Sequence, residues 1–538
     1  MSTLAANTSS VAEDDNASKL VYLKQGWSED EREKYYRTYE GSQLIPYDWF
    51  LALEQASNQE QFRADKNIER FRYLPSITKS QLNPDNLPVG FTKEQDPRTG
   101  TWLGLNCAAC HTGQINYQGR SARIDGAPAL ADFPAFSTAM AESLRATLKN
   151  NAKFDRFAKH VLNESANKQQ IQIQSLHRDV QRFTEDFESY LERNKAPHPY
   201  GYGRLDALGI SLNEVTGTAM QIPSNISPPE APVSYPALWL TPELEWVQWN
   251  GSVTNPLTRN VGQALSVFGK ATLSGPIFDH FKSTVYVRNL YELEKQIGQL
   301  EVPVWPEEIL GTIDRTQAVR GEALFQVNCA SCHANKPPYP MTSPNRFGKS
   351  LIKVERTKLA DVGTDPIAAE RFAKRVSKTG NLAPYFTGPD GRQLSEVPTP
   401  TLFGFIATLV SERQLDELRL LNEEKIMYRG YRERVSPGDL LAYKAGPLAG
   451  VWATAPYLHN GSVPNLNQLL LPSEKRDKTF HVGSQEFDPV NVGFKTEASA
   501  GSMEFQTTLP GNSNAGHEYG TTLNDDDRHA LIEYLKTL

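Results

Sequence analysis

No stretch of this 538-residue chain approaches the roughly 18 continuous apolar residues that a membrane span requires, so no transmembrane segment is expected. No run of lysine or arginine stands out either. A net charge of −7 over this length is mild, which argues against nucleic acid and membrane-surface partners. Residues 1–16, MSTLAANTSSVAEDDN, lack both the basic n-region and the apolar h-region of a secretory signal, and residues 1–25 are expected to form a disordered tail. Cysteine is scarce. All 4 cysteines fall in two pentapeptides, Cys107-Ala108-Ala109-Cys110-His111 and Cys329-Ala330-Ser331-Cys332-His333.

Each pentapeptide reads as a c-type haem attachment site. Thiols three residues apart on a helical turn lie on one face and can form thioethers to two vinyl groups. The next residue, His111 or His333, can then offer its imidazole to the iron as proximal ligand. A zinc site made of two C-x-x-C pairs places them about 15–20 residues apart, whereas these two lie in opposite halves of the chain. A redox C-x-x-C would not call for a histidine after the second cysteine, and here it occurs twice. Two covalently bound haem c groups are therefore expected. Bacterial haem thioethers are made outside the cytoplasmic membrane, so a periplasmic or secreted location is expected, with the export signal absent from this sequence.

The length allows two to four domains, and the organisation follows the two motifs. The expected division is a tail over 1–25, an N-terminal haem domain with extended loops over 26–300, and a C-terminal haem domain over 301–538. The preferred boundary is Glu301 to Pro306, which contains two prolines. Ser28 and Glu31 have capping-box spacing, predicting a helix through Glu33 to Tyr39. After His111, Gly113, Gly119, Gly126, Pro128 and Pro134 imply a looped path. Helical periodicity resumes near Phe136 to Leu148 and through Ile171 to Tyr190. Pro197 to Pro256 is rich in proline, glycine and tryptophan and reads as ordered loop, followed by an amphipathic helix from Arg259 through Val267.

The second module gives the clearer fold signal. Arg315 to Phe325 has helical spacing immediately before its motif, and Asn524 caps an amphipathic helix carrying Ala530, Leu531, Tyr534 and Leu535. This resembles the cytochrome c fold, whose first and last helices cross beside the haem, with Gly321 supplying the close approach. The expected fold is mainly α: two cytochrome c-like haem modules with long ordered loops and little β.

Downstream of the second motif, Thr454-Ala455-Pro456-Tyr457-Leu458-His459-Asn460-Gly461-Ser462 resembles the bacterial di-haem cytochrome c peroxidase superfamily. The segments 41–50, 249–251, 486–490 and 511–520 are more similar to its rubber-oxygenase-like branch, which includes fatty-acid dioxygenases. That resemblance implies O2 chemistry at an alkene. The chain departs from the peroxidases in having Asn460 for their aspartate and no methionine between His459 and Met503. A methionine ligand on the second haem is thus in doubt, and His517 is the first choice for that position, with His459 and His481 behind it.

By the same resemblance the first haem has the open face, with Phe268 over it, and Trp249 lies between the haems; Trp239 and Trp246 compete for that role. Three functions remain. One is an O2-dependent dioxygenase of an unsaturated hydrophobic substrate such as polyisoprene or a fatty acid, with an apolar pocket. Another is a peroxidase supplied with electrons by a small redox protein, with a polar group to move the proton. The third is an electron carrier with both haems fully ligated.

Overall fold

The computed structural model describes residues 20–77, 80–162, 169–433, 435–436 and 438–538. Most of the tail expected over 1–25 lies outside the described residues. Its last part is ordered, because Leu20–Tyr22 form a strand that pairs in parallel with Ser121 to Arg123. The structure is α-rich, and its strands are short pieces in two- and three-stranded sheets. No helix among the described residues is long and apolar enough to cross a membrane.

Local sequence signals account for the helix starts. Ser28 accepts the Glu31 amide at 3.3 Å while the Glu31 carboxylate accepts the Ser28 amide at 2.8 Å, starting the Glu29–Arg37 helix with reciprocal caps. Asp132 caps Phe133–Lys149, and Asn255 caps Pro256–Ser266 with proline in the first turn. The Phe133–Lys149, Asn151–Leu162 and Gln169–Arg193 helices bury an aromatic core in which Phe136 meets Phe71, Tyr73 and Phe91 edge-on at 5.1 to 5.7 Å.

The path after His111 is not a loop. Thr112–Tyr117 and Arg120–Asp125 form an antiparallel hairpin, turned by Gln118 and Gly119 at φ 49° and 76°. Two consecutive positive φ values are the signature of a type I′ turn, whose twist matches that of the flanking strands. Gly113 is needed for proximity: a Cβ there would stand 2.9 Å from the Ala127 Cβ. A preceding hairpin, Phe91–Asp96 with Gly100–Leu105, delivers the chain to the first motif.

In the second module the Arg315–Asn328 and Asp525–Leu535 helices cross where expected. A Cβ on Gly321 would lie 2.0 Å from the Ala530 carbonyl oxygen, so only glycine permits this approach. Phe325 packs on Tyr534 at 5.5 Å, and Asn524 caps the closing helix through the Asp527 amide at 2.9 Å.

Apolar clusters run across the two halves of the chain. Ile115 and Ile124 share a core with Trp452 and Phe487, while Leu257 and Val261 share another with Leu402 and Ile406. Between them, Pro197 to Pro256 is ordered and irregular, with a two-residue strand pair and a π-helical turn over Asn213–Ala219.

Candidate haem centres

The first motif begins in a 3-10 turn, Cys107–Ala109. Asn106 holds this turn through its side chain: Oδ1 accepts the Ala108 amide at 3.0 Å and Nδ2 donates to the Tyr35 and Thr38 carbonyls at 2.8 Å. Gly90 packs on the turn so closely that a Cβ would lie 2.0 Å from the Ala109 nitrogen. His111 follows, its amide donating to the Cys107 carbonyl at 2.9 Å.

The His111 Nδ1 lies 2.7 Å from the Pro236 carbonyl oxygen, and burial lowers its pKa to about 4. A neutral imidazole that donates through Nδ1 leaves Nε2 as the free, metal-binding nitrogen. Near the two thiols the buried hydroxyls of Tyr35 and Tyr73 have no hydrogen-bond partner among the described residues, while the Tyr235 hydroxyl pairs with the Cys110 thiol. Beside Cys107, buried Glu40 accepts its amide and thiol at 3.1 and 2.9 Å, and burial raises the carboxyl's pKa.

At the second motif His333 repeats the arrangement, with Nδ1 2.9 Å from the Gly446 carbonyl oxygen and its pKa lowered by burial. Here a second histidine stands opposite. The His517 ring centroid is 6.3 Å from that of His333, with the planes at 54°. His517 is held at φ 52° by its amide bond to the Val362 carbonyl at 2.8 Å, and Arg476 donates to the Asn514 and Gly516 carbonyls of the same loop at 2.6 and 2.8 Å. Among the described residues no other residue pairs with its buried Nδ1, and burial lowers its pKa to about 4.

His333, His517, Cys329 and Cys332 all border one cavity of about 300 Å³. His459 borders it too, stacked on Tyr443 at 3.9 Å, its pKa lowered to about 3 by burial. His481 sits on a strand whose amide donates to the Thr496 carbonyl, and Met503 packs with Phe480, Phe505 and Tyr202. Neither borders the cavity.

The structure places Phe268 among Phe133, Phe187 and Tyr190, at 5.0 to 6.2 Å, in the apolar cluster that also contains Ala109 and Cys110. Trp249 borders the cavity of His333 and donates to the Ser234 carbonyl at 2.8 Å. Trp239 borders it as well and donates to Ala449, whereas Trp246 lies under Arg356. The segment Ser234 to Pro236 touches both sites: Pro236 accepts from His111, and the Ser234 amide donates to the His459 carbonyl at 2.9 Å. Sequence reasoning named neither carbonyl acceptor, because a backbone oxygen carries no residue signature.

Over 97% of its length the chain is 33% identical to the uncharacterized protein y4iJ of Sinorhizobium fredii, 93% of which is covered. The chain belongs to the y4iJ family. A second protein of that organism, the uncharacterized y4iM, is 27% identical over 63% of this chain and 72% of its own length. Residues 442–481 of this y4iJ-family chain match the family model described as RoxA-like, cytochrome c-like. That segment includes Gly446, Tyr443 and His459 and thus forms much of the wall facing His333. The match supports the rubber-oxygenase-like branch, and a cytochrome c-like domain implies haem c. Domains of this type are usually periplasmic or secreted.

Proposed function

We propose that the protein is a di-haem c-type cytochrome acting as an O2-dependent dioxygenase of an unsaturated hydrophobic substrate. Cys107, Cys110 and His111 would hold one haem. Cys329, Cys332 and His333 would hold the other, with His517 as its second axial ligand. The residues fit such groups. Both motif imidazoles are oriented through Nδ1 by a backbone carbonyl, the four cysteines form no disulfide, and among the described residues the buried hydroxyls of Tyr35 and Tyr73 and the Nδ1 of His517 have no hydrogen-bond partner in another residue. Among the described residues no cluster of three or more His, Cys, Asp or Glu side chains converges as a bare metal ion would require.

The observation that carries the reading is an asymmetry: His333 is met by His517, while among the described residues no second histidine ring meets His111 in that way. Bound haem would supply redox chemistry, closed to external ligands where the protein fills both axial positions and open to oxygen where it fills one. The chain's own part is positional. The Pro236 carbonyl fixes the His111 tautomer and ring direction. The Phe133, Phe187, Tyr190 and Phe268 rings provide an apolar flank that excludes water from an alkene.

A peroxidase reading is favoured by one observation. Arg259 and Asn260 both donate to the Glu294 carboxylate, whose other oxygen is buried with no partner among the described residues. A buried carboxylate of that kind can move a proton. Oxygen-uptake measurements across unsaturated fatty acids and polyisoprene, set against peroxide turnover with a reduced cytochrome, separate the two. Uptake without added reductant is expected, with Phe268→Ala changing product yield while haem attachment stays intact. Rapid peroxide turnover that Glu294→Gln abolishes, with no oxygen uptake, would establish the peroxidase instead.

A further inference from the structure

The cavity bordered by His333 and His517 is walled mostly by apolar and aromatic side chains, and among its described lining residues Lys444 alone is an Asp, Glu, Lys or Arg. Its charge has no opposite inside the cavity. Lys444 lies on the Ala442–Ala445 strand, where its amide donates to the Trp249 carbonyl at 2.8 Å; Gly446, two residues on, supplies the carbonyl that orients His333. The side chain folds along that wall: a Cβ on Gly446 would meet a single atom within reach, the Lys444 Nζ at 4.0 Å.

Among the described residues the Lys444 ammonium makes no hydrogen bond or ion pair, and the Trp249 ring centroid stands 5.8 Å away, at the outer limit of a cation–π contact. Burial lowers the lysine's pKa to about 8, with no nearby carboxylate to offset it. Such a cation is costly to bury unless an anion joins it.

A second polar group borders the same space without a partner. Thr364 is 6% exposed, and its hydroxyl has no hydrogen-bond partner among the described residues. It belongs to the opposite wall: Val362, two residues before it, accepts the His517 amide, and Gly516 packs so closely that a Cβ there would lie 2.4 Å from the Thr364 nitrogen. Lys444 is thus tied to the His333 side and Thr364 to the His517 side, so a flat group seated between the two rings is flanked by one unpaired donor from each.

We infer that Lys444 is a cofactor-binding residue of the second centre, its ammonium pairing with a haem propionate while the Thr364 hydroxyl donates to the same edge of the macrocycle. The inference rests on haem attachment at Cys329 and Cys332 and adds two groups that the attachment motif does not contain. Thioethers hold the vinyl edge; the propionate edge lies away from it and brings carboxylates to a cavity with one cation. The resulting hydrogen bond is charge-assisted. Neutralising a carboxylate beside the iron also makes the reduced, less positive state easier to reach.

Spectroelectrochemical titration and resonance Raman spectra of the haem-loaded protein, in carboxylate-free buffer, test the assignment. Lys444→Met should keep two haems per chain, move the propionate bending band of the second haem, and shift that haem's reduction equilibrium about tenfold toward the oxidised form, roughly 59 mV of midpoint. Lys444→Arg should retain the wild-type band and midpoint. Thr364→Val, which removes only a hydroxyl, should lower the midpoint by less and reads the same edge independently. An unmoved band in Lys444→Met with two haems present would overturn the assignment even if the midpoint shifts, because the cation would then act at a distance. A wild-type midpoint that responds to added acetate, again with the band unmoved in the variant, would overturn it in favour of a free carboxylate. A wild-type chain with one haem and an empty second motif would instead remove the haem reading itself.

Discussion

The two C-x-x-C-H pentapeptides are nearly identical, yet they sit in unlike surroundings. The first lies between two β-hairpins and is enclosed by Gly90, Asn106 and buried tyrosines; the second ends a helix that crosses the closing Asp525–Leu535 helix at Gly321. Both turn the proximal imidazole with a backbone carbonyl, at 2.7 and 2.9 Å. The faces opposite the two histidines differ as well: a histidine meets His333, and an apolar aromatic cluster flanks the turn that carries Cys107. On the proposed ligation, a local motif specifies attachment and the proximal ligand. What the iron can do is decided by residues far away in sequence.

The largest test removes one site at a time. Cys107→Ser with Cys110→Ser, or Cys329→Ser with Cys332→Ser, should each lower the haem-to-protein ratio from two to one in a pyridine haemochrome assay. A ratio of one in the wild type would end the comparison. Next, His517→Ala should convert only the second site to a high-spin species in EPR, leaving the first signal as it was. An unchanged spectrum would transfer the ligand role to His459, which borders the same cavity.

Paired glycine substitutions compare the two frames. Gly90→Ala and Gly321→Ala each drive a Cβ to 2.0 Å from a backbone atom, and each should cost roughly 2–4 kcal/mol in denaturant unfolding. The first should disturb the His111 signal and the second the His333 signal; crossed effects would show that the modules do not fold as separate frames.

A further test concerns pH. In the first frame Glu94 is buried against the Glu40 amide, and burial raises its pKa from 4.5 to about 8. Because the folded state holds this proton more tightly than the unfolded chain, the associated stability is complete below pH 4.5. It falls as pH rises and is gone above about 8. Glu94→Gln should flatten the unfolding midpoint across that window, and an equally steep wild-type and variant profile would exonerate Glu94.

What could be read from the sequence was local. The capping box at Ser28, the Asn524 cap and the glycine at the helix crossing each act through neighbours within a turn or through one atom-sized requirement, so residue type alone exposes them. The hairpin after His111 was missed because its glycines look like loop punctuation, whereas Gly113 is set by packing on Ala127 and Gly119 by a type I′ turn. The facing of His333 and His517 depends on Arg476 gathering a loop by its carbonyls, and carbonyls leave no mark in sequence. The same holds for Pro236 and Gly446.

The short strap from Ser234 to Pro236 joins the two centres. One end sets the hydrogen bond to His111 and the other is pinned to His459 and Trp249 at the edge of the second cavity. The strength of a bond to Nδ1 tunes how much electron density an imidazole gives its metal. If His111 holds a haem iron as proposed, a change of charge or packing at the second centre that pulls on Ser234 would alter its donor strength. In a potentiometric titration the two midpoints should move together, and Ser234→Pro, which deletes the amide bond to His459, should uncouple them.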